Sequence, residues 1–160
     1  ITNTAMVKFC RECHKTIFYV SKTVTTCQLS ITHDQELIPT GKVPCSIQNL
    51  GEMIKDFDLD VKIAEGGQEA IDIIDSYTPD IILLDLMMPR VNGWDVIEHV
   101  REKYSKNEMV IIVVSLLNNK DNIDECYDMG INDYITKPVI KARLTSSIES
   151  HLKNLNKNQI

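Results

Sequence analysis

The sequence predicts an α/β fold in which helices cover both faces of a parallel sheet. From Val61 onward, patterns typical of strands and of helices alternate, as the crossovers between parallel strands require. Two strand patterns, at residues 81–84 and 110–114, are apolar at every position, which indicates strands buried on both faces. Each apolar run ends at a polar residue, and ligands of such sheets bind beyond the carboxyl ends of the strands.

The predicted elements follow one another without long gaps. Strands are expected at residues 61–64, 81–84, 110–114 and 133–136. Helices are expected at residues 46–57, 68–76, 94–104, 119–129 and 141–152, because apolar side chains recur there at helical spacing. Gly130 ends the fourth of these helices.

Three strand ends each present a polar side chain. The run at residues 81–84 stops at Asp85, the run at 110–114 stops at Ser115, and the strand at 133–136 stops at Lys137. A carboxylate, a hydroxyl and an ammonium group are therefore expected at one edge of the sheet. The simpler interpretation is that these residues only cap helices or face the solvent.

The bulk composition is that of one α/β domain. The chain has 160 residues, a net charge of −6 and 43% hydrophobic residues. These values are sufficient for one domain with a single sizeable hydrophobic core. No apolar stretch approaches the ~18–20 residues of a membrane span and no leader pattern opens the chain, so a cytoplasmic location is expected. An acidic chain without basic clusters is not expected to bind nucleic acid directly.

The segment from about Val61 to His151 resembles a receiver domain of two-component signalling. In that family a Ser or Thr follows the phospho-accepting aspartate by 30 residues and a Lys follows it by 52, and Ser115 and Lys137 stand at both spacings from Asp85. The resemblance implies a doubly wound, flavodoxin-like sheet of five parallel strands in the order 2-1-3-4-5. It also implies that Asp85 accepts a phosphoryl group that Ser115 and Lys137 contact.

The resemblance extends to a switch and a cofactor. Tyr134 is similar to the aromatic residue that turns inward with Ser115 after phosphorylation in this family. The family also binds Mg²⁺, which here would be held by Asp34, Asp85 and the backbone carbonyl of Met87. A lysine followed by Pro138 implies a cis peptide bond that aims the Lys137 side chain.

Three registers remain open for the first strand of the sheet. A gapless alignment puts Thr40, Gly41 and Lys42 where the family has acidic residues, and such a receiver would be degenerate. A strand at residues 25–32 is favoured, because it alone puts a carboxylate, Asp34, at the carboxyl end. A strand at residues 16–20 would end on Ser21 and Lys22.

The favoured register divides the chain into three parts. Residues 1–24 form an N-terminal extension with an extra strand or hairpin, residues 25–153 form the receiver domain, and residues 154–160 form a tail or linker. The extension could dock on the sheet, make a homodimer contact or belong to an upstream domain. It also contains Cys10 and Cys13, which have the C-x-x-C spacing of a zinc or redox site, although reduced cysteines are the default without a secretion signal.

The leading functional hypothesis is a phospho-accepting receiver that is not a small-molecule enzyme. A histidine kinase or a histidine phosphotransfer protein would donate the phosphoryl group, and an output domain or a downstream protein would read the state. The alternative is a pseudo-receiver that acts as a protein-interaction module without metal-dependent phosphorylation. A third hypothesis is a zinc-dependent interaction module built on the N-terminal cysteines.

Overall fold

The computed structural model describes residues 16–20, 32–33, 36–37, 50, 53–54, 57 and 59–157. In these ranges the strands are β1 (Thr16–Val20), β2 (Thr32–His33), β3 (Glu36–Leu37), β4 (Asp60–Ala64), β5 (Ile81–Leu84), β6 (Val110–Ser115) and β7 (Asp133–Thr136). The helices are α1 (Gly67–Tyr77), α2 (Gly93–Lys103), α3 (Lys120–Asp128) and α4 (Lys141–Lys157). Residues 50, 53 and 54 of the first predicted helix are helical, and the rest of that helix lies outside the described residues.

Five strands form one parallel sheet in the order β4-β1-β5-β6-β7. Counted along the chain, this is the order 2-1-3-4-5, so the predicted fold is confirmed. A small antiparallel pair joins β2 and β3, with Thr32 opposite Leu37.

The position of the first strand corrects the favoured register. β1 lies between β4 and β5, with Val20 opposite Ala64 and Leu84, so the central strand is residues 16–20 and not residues 25–32. Residues 16–20 are therefore not an added hairpin, and the extension cannot reach residue 24 as predicted. Both segments are rich in β-branched residues, and local pattern alone does not distinguish a central strand from a neighbouring one.

Hydrophobic residues cover both faces of the sheet, which explains why β5 and residues 110–114 of β6 are apolar at every position. Alternate residues of β5 point to opposite faces: Ile82 and Leu84 belong to one core cluster, and Ile81 and Leu83 to the other. Helices α1, α2 and α3 pack on the first face, and α4 packs on the second face with Leu50 and Ile54. The strands β5 and β6 are fully buried, and their carboxyl ends thus lie in the middle of one edge of the sheet.

The last helix continues beyond its predicted end. Helix α4 runs to Lys157, five residues past the predicted end at residue 152, and Leu155 is buried in the second core cluster. Leu155 follows Ile148 by two helical turns, so it extends the same apolar face. Residues 154–157 are thus part of the helix, so the predicted tail at residues 154–160 is wrong for them, and residues 158–160 lie outside the described residues.

Two other predictions concern the cysteines and the absence of a membrane-spanning segment. Cys10 and Cys13 lie outside the described residues, whereas Cys126 is a free, buried cysteine of α3 whose pKa burial raises to about 11. Among the helices described, not one combines the length and the apolar character needed to cross a membrane.

Candidate functional site

Asp85 lies directly after β5 and forms an ion pair with Lys137. Its Oδ2 atom is 2.8 Å from the Lys137 Nζ atom, and the two side chains are only 10% and 13% exposed. Lys137 reaches this point because it follows β7, two strands away in the same sheet. The pair is therefore held in a sparsely hydrated position, where electrostatic attraction is stronger than at an open surface.

The loop after Asp85 turns tightly around the carboxylate. The backbone N–H of Met87 donates to Asp85 Oδ1 at 3.0 Å, so both carboxylate oxygens are engaged. The N–H groups of Met88 and Gly93 both donate to the Leu86 carbonyl. A Cβ atom on Gly93 would lie 2.6 Å from Leu86 Cα and 2.7 Å from the Asp85 carbonyl oxygen, so only glycine fits there.

Ser115 ends β6 beside this loop and is fully buried. Its Oγ accepts a hydrogen bond from the Leu117 N–H at 3.3 Å, and its carbonyl accepts one from the Lys137 N–H at 2.8 Å. The peptide bond between Lys137 and Pro138 is cis, as the resemblance implied. The backbone of Lys137 is thus tied to β6 while its side chain reaches Asp85.

Tyr134 of β7 points inward, with only 8% of its surface exposed. Its hydroxyl donates to the Leu117 carbonyl at 2.7 Å, which connects β7 to the loop after Ser115. Burial raises the pKa of the Tyr134 phenol, the Ser115 hydroxyl opposes this rise, and the charge of Asp85 adds to it. The phenol therefore remains a hydrogen-bond donor at neutral pH.

A second polar network holds β7 against α4, and the sequence pattern did not indicate it. Asp133 accepts two hydrogen bonds from the Arg143 guanidinium at 2.9 and 2.7 Å. It also accepts one from the Ser147 hydroxyl at 2.5 Å and one from the Tyr134 N–H at 2.8 Å. Burial alone would raise the pKa of the Asp133 carboxyl, but Arg143, Ser147 and the Tyr134 N–H outweigh it and hold that pKa below its ordinary value.

The structure brings together most of the residues that the sequence placed in the site. Asp85, Ser115 and Lys137 converge at one edge of the sheet, with Tyr134 behind them. Asp34, the favoured metal ligand, lies outside the described residues. In the described ranges no three or more acidic, His or Cys residues lie close enough together to hold a metal ion.

The Asp85 carboxylate is a potential nucleophile, and the Lys137 ammonium is its positively charged partner. A carboxylate oxygen can attack an electrophilic centre, and the Lys137 ammonium can neutralise negative charge that develops next to it. The buried Ser115 hydroxyl can donate a hydrogen bond at the same place. Such a site suits a negatively charged group with several oxygen atoms that becomes covalently bound to Asp85.

The family model of the response regulator receiver domain matches residues 43–149. This range includes β4 to β7 and most of α4, and thus all three converging residues. β1 lies upstream of the match.

Individual relatives agree with this match. A curated protein of Vibrio cholerae serotype O1, named "Probable cyclic di-GMP phosphodiesterase", is 30% identical over 94 residues, which are 59% of this chain and 21% of that protein. The fold resembles a CheY-like response regulator receiver domain protein from Methanospirillum hungatei JF-1, with a TM-score of 0.69 and 19% identity over 90% of this chain and 98% of the other. It also resembles the BeF3-activated N-terminal receiver domain of Klebsiella pneumoniae RstA, with a TM-score of 0.67 and 22% identity over 86% of this chain and 98% of the other.

Proposed function

The chain belongs to the response regulator receiver domain family, and we propose that it accepts a phosphoryl group on Asp85 in a two-component phosphorelay. The observation that carries this proposal is the buried pair of Asp85 and Lys137, 2.8 Å apart at the carboxyl ends of two strands. Such a pair supplies the nucleophile and a positive charge for the phosphoryl oxygens. We do not assign it any small-molecule enzyme activity beyond its own phosphorylation and dephosphorylation.

The transfer is a displacement at phosphorus. One Asp85 oxygen forms the new P–O bond as the bond to the donor's leaving atom breaks, and that atom keeps the electron pair. Lys137 Nζ neutralises one phosphoryl oxygen, and the Met87 N–H, which donates to Asp85 Oδ1, keeps the carboxylate oriented. The catalytic effect is thus one of positioning and charge neutralisation.

Ser115 and Tyr134 are proposed to pass the phosphorylated state to the surface. The Ser115 Oγ, which accepts the Leu117 N–H, would turn to donate to the new phosphoryl group. The Tyr134 hydroxyl donates a hydrogen bond to the Leu117 carbonyl, in the loop between β6 and α3. A movement of this loop would therefore change the surroundings of β7 and α3. Two alternative arrangements of this loop would form the bistable element of the switch.

Mg²⁺ is the cofactor that the family implies, and the described residues fit only part of a site for it. Mg²⁺ keeps several waters and is often held by one or two carboxylates, so Asp85 and the carbonyl of Met87 are compatible with a hydrated ion. The prediction of Asp34 as a second carboxylate depended on a strand at residues 25–32, and the central strand is instead Thr16–Val20. When bound, the cation would supply further positive charge for the phosphoryl oxygens.

A histidine kinase or a histidine phosphotransfer protein is the proposed donor, and an output domain or downstream protein the proposed reader. The chain spans about a fifth of the length of the curated relative it matches, so that relative's cyclic di-GMP phosphodiesterase name says nothing about the reader here. We therefore leave the class of output open to experiment.

Intact-mass spectrometry tests the proposed phosphorylation. Incubation with acetyl phosphate and Mg²⁺ should add one phosphoryl group to the wild type and release acetate. Asp85→Asn should not be labelled, because an amide is not a usable nucleophile. Lys103→Ala, a change at an exposed helical lysine, is the matched control and should label like the wild type. Equal labelling of Asp85→Asn would move the site to another residue.

One observation favours a second candidate, the pseudo-receiver. β1 lies upstream of the family match, and its last residue, Val20, is followed in the sequence by Ser21 and Lys22 and not by acidic residues. A receiver without the acidic residues that the family has after its first strand would keep the fold and lose metal-dependent phosphorylation. Absence of any added mass in the wild type, together with no Mn²⁺-dependent broadening of its NMR signals near Asp85, would favour this candidate.

A further inference from the structure

The loop between β5 and α2, residues 85–92, contains a residue in an unfavourable backbone conformation. Arg90 has a φ of 68°, in the left-handed region that glycine adopts freely and a residue with a Cβ atom does not. In the described part of the chain one other non-glycine residue has a positive φ, Thr78, which ends α1, where this conformation is common. Strained backbone persists where surrounding contacts impose it, often near functional sites. The contacts that hold this loop therefore bear on how it presents Asp85.

One such contact comes from Gly67, the first residue of α1. A Cβ atom on Gly67 would lie 2.2 Å from the Val91 carbonyl oxygen and 2.7 Å from the Val91 Cγ1 atom, both closer than the 3.0 Å that Cβ atoms keep from other atoms. Val91 follows Arg90 directly, and its side chain packs against the core cluster on the first face of the sheet. The backbone of α1 therefore touches the loop beside its strained residue, and only glycine allows so close an approach.

Helix α1 is held at several points, so it is not the part that would yield at this contact. Ala70 and Ile74 are fully buried in the core cluster on the first face. Near the other end of α1, the Asp75 Oδ1 atom is 2.8 Å from both the His99 Nε2 and the Lys103 Nζ atoms of α2. By contrast, the loop residues next to the contact are exposed or only partly buried. Extra volume at the contact would therefore displace the loop and not the helix.

A displacement of Val91 would reach Asp85 through close contacts inside the loop. The Gly93 N–H donates to the Leu86 carbonyl at 3.0 Å, and a Cβ atom on Gly93 would lie 2.6 Å from Leu86 Cα, so the two backbones are already in close contact. One residue further, the Met87 N–H donates to Asp85 Oδ1 at 3.0 Å. The orientation of the carboxylate thus depends on the position of the loop.

We propose that Gly67 is a positioning residue for phosphoryl transfer, because its contact with Val91 fixes the loop that carries Asp85. The loop in turn keeps the Met87 N–H on the carboxylate. The atoms nearest to a Cβ atom added at Gly67 all belong to Val91, so the effect of Gly67 passes through the loop. The strain at Arg90 belongs to the same arrangement, since the contact keeps the loop from relaxing. This inference rests on the proposed function, because the reaction that it serves is the proposed one.

Two adjacent glycines allow a matched comparison. A Cβ atom at Gly67 must push the Val91 carbonyl away, whereas a Cβ atom at Gly66 would meet nothing within 4 Å. We expect Gly67→Ala to slow labelling by acetyl phosphate and Mg²⁺ about tenfold or more, because a misplacement of about 1 Å can cost about 100-fold in rate. Gly66→Ala should label within about twofold of the wild type, since its extended backbone suits any residue. Growth of the phosphorylated intact mass gives both rates.

The amide signal of Met87 separates positioning from a loss of stability. Its ¹H chemical shift reports the hydrogen bond to Asp85 Oδ1, because a strong bond to a carboxylate moves an amide proton downfield. We expect this signal to move upfield in Gly67→Ala and to stay in place in Gly66→Ala. Both variants are measured as protein that circular dichroism shows to be folded, so that unfolding does not contribute to the difference.

Two further variants test the contact from the side of the loop. Arg90→Gly removes the strain at a φ of 68° and lets the loop bend around the added methyl group. Gly67→Ala combined with Arg90→Gly should therefore label at least about threefold faster than Gly67→Ala alone. Val91→Ala removes the side-chain part of the contact without introducing a clash. It should slow labelling about twofold to fivefold, and it provides the test if Gly67→Ala does not fold.

The outcomes distinguish this inference from the function on which it rests. Slower labelling and a shifted Met87 signal in Gly67→Ala, with recovery by Arg90→Gly, support the positioning role. Labelling of Gly67→Ala and Val91→Ala at the wild-type rate, a Met87 signal that does not move, or a loss of rate that Arg90→Gly leaves unchanged would overturn it. Failure of acetyl phosphate to label the wild type would contradict the proposed function, and the Met87 signal would then still decide whether Gly67 positions the loop.

Discussion

Asp85 illustrates how the charge of a buried carboxylate is compensated by neighbouring groups. Its charge is matched by Lys137 and its remaining oxygen by the Met87 N–H, so no charge is left without a partner in a poorly hydrated place. The strand-end pattern predicted the convergence of Asp85, Ser115 and Lys137. It could not predict the hydrogen bond of Tyr134 to the Leu117 carbonyl, because that contact depends on a loop conformation and a side-chain rotamer, for which no periodicity exists.

At this scale we predict a long-lived phosphorylated state. Hydrolysis requires a water positioned opposite the Asp85 oxygen, and Met87 and Leu117, each two residues after a site residue, are apolar and cannot orient one. Met87→Glu and Leu117→Ser should each speed loss of the phosphoryl group several-fold, with Glu102→Gln on α2 as a control that should not. Decay of the phosphorylated mass after desalting measures this, and a wild-type lifetime of seconds would contradict it.

The elements around the site are held by contacts that can be tested singly. The turn after β5 depends on Gly93, where a Cβ atom would meet the Asp85 and Leu86 backbone, whereas a Cβ atom on Gly66 would have nothing within 4 Å. Gly93→Ala should lower the free energy of unfolding by about 1–3 kcal/mol, because the backbone must shift. Gly66→Ala should change it by about 1 kcal/mol or less. Urea unfolding measures both, and equal effects would show that the turn has room for a side chain.

The network of Asp133 with Arg143 and Ser147 joins β7 to α4 and gives a pH dependence. Because the folded protein holds the Asp133 pKa below its ordinary 3.8, the folded state binds this proton less readily than the unfolded state. The stabilisation is therefore present above about pH 4 and is lost as the pH falls through the lower, folded pKa. Asp133→Asn should cost about 1–3 kcal/mol at pH 7 and less at pH 3.

Urea unfolding at the two pH values checks this prediction. Asp124→Asn is the matched control, because its exposed pair with Lys120 on α3 should contribute less than about 1 kcal/mol at either pH. A cost of Asp133→Asn that is the same at pH 3 as at pH 7 would show that the ionised carboxylate is not what joins the two elements.

The strands and helices also show where the local sequence pattern is sufficient to predict an element. β5 and β6 were predicted because every residue in them is buried, and a buried strand has an apolar run that few other structures produce. β1 was misplaced because the register was chosen to put a carboxylate, Asp34, at the end of the strand, whereas the position of β1 depends on pairing with β4 and β5, which are distant in sequence. The end of α4 was missed because Leu155 is a single apolar residue among Asn and Lys, and its burial depends on the second core cluster.

On the scale of the whole molecule, two hydrophobic cores fix a sheet whose carboxyl edge carries the site. The cores lie on opposite faces, so the strands that deliver Asp85, Ser115 and Lys137 cannot slide without unpacking both. This rigidity brings three side chains from distant parts of the sequence to one edge of the sheet. The parallel sheet that produces this edge was predictable from the alternation of strands and helices, and its strand order was implied by the family resemblance. The segment that forms its first strand could not be predicted from the sequence.

The central claim is that the phosphoryl group is carried by Asp85 itself, and borohydride trapping tests it most directly. An acyl phosphate is reduced by borohydride to an alcohol, so an aspartyl phosphate leaves homoserine at the residue that carried it. The protein is incubated with acetyl phosphate and Mg²⁺, reduced and digested, and its peptides are sequenced by mass spectrometry. We predict homoserine at position 85 only. Homoserine at another aspartate, or none in a protein whose intact mass shows a phosphoryl group, would contradict the account.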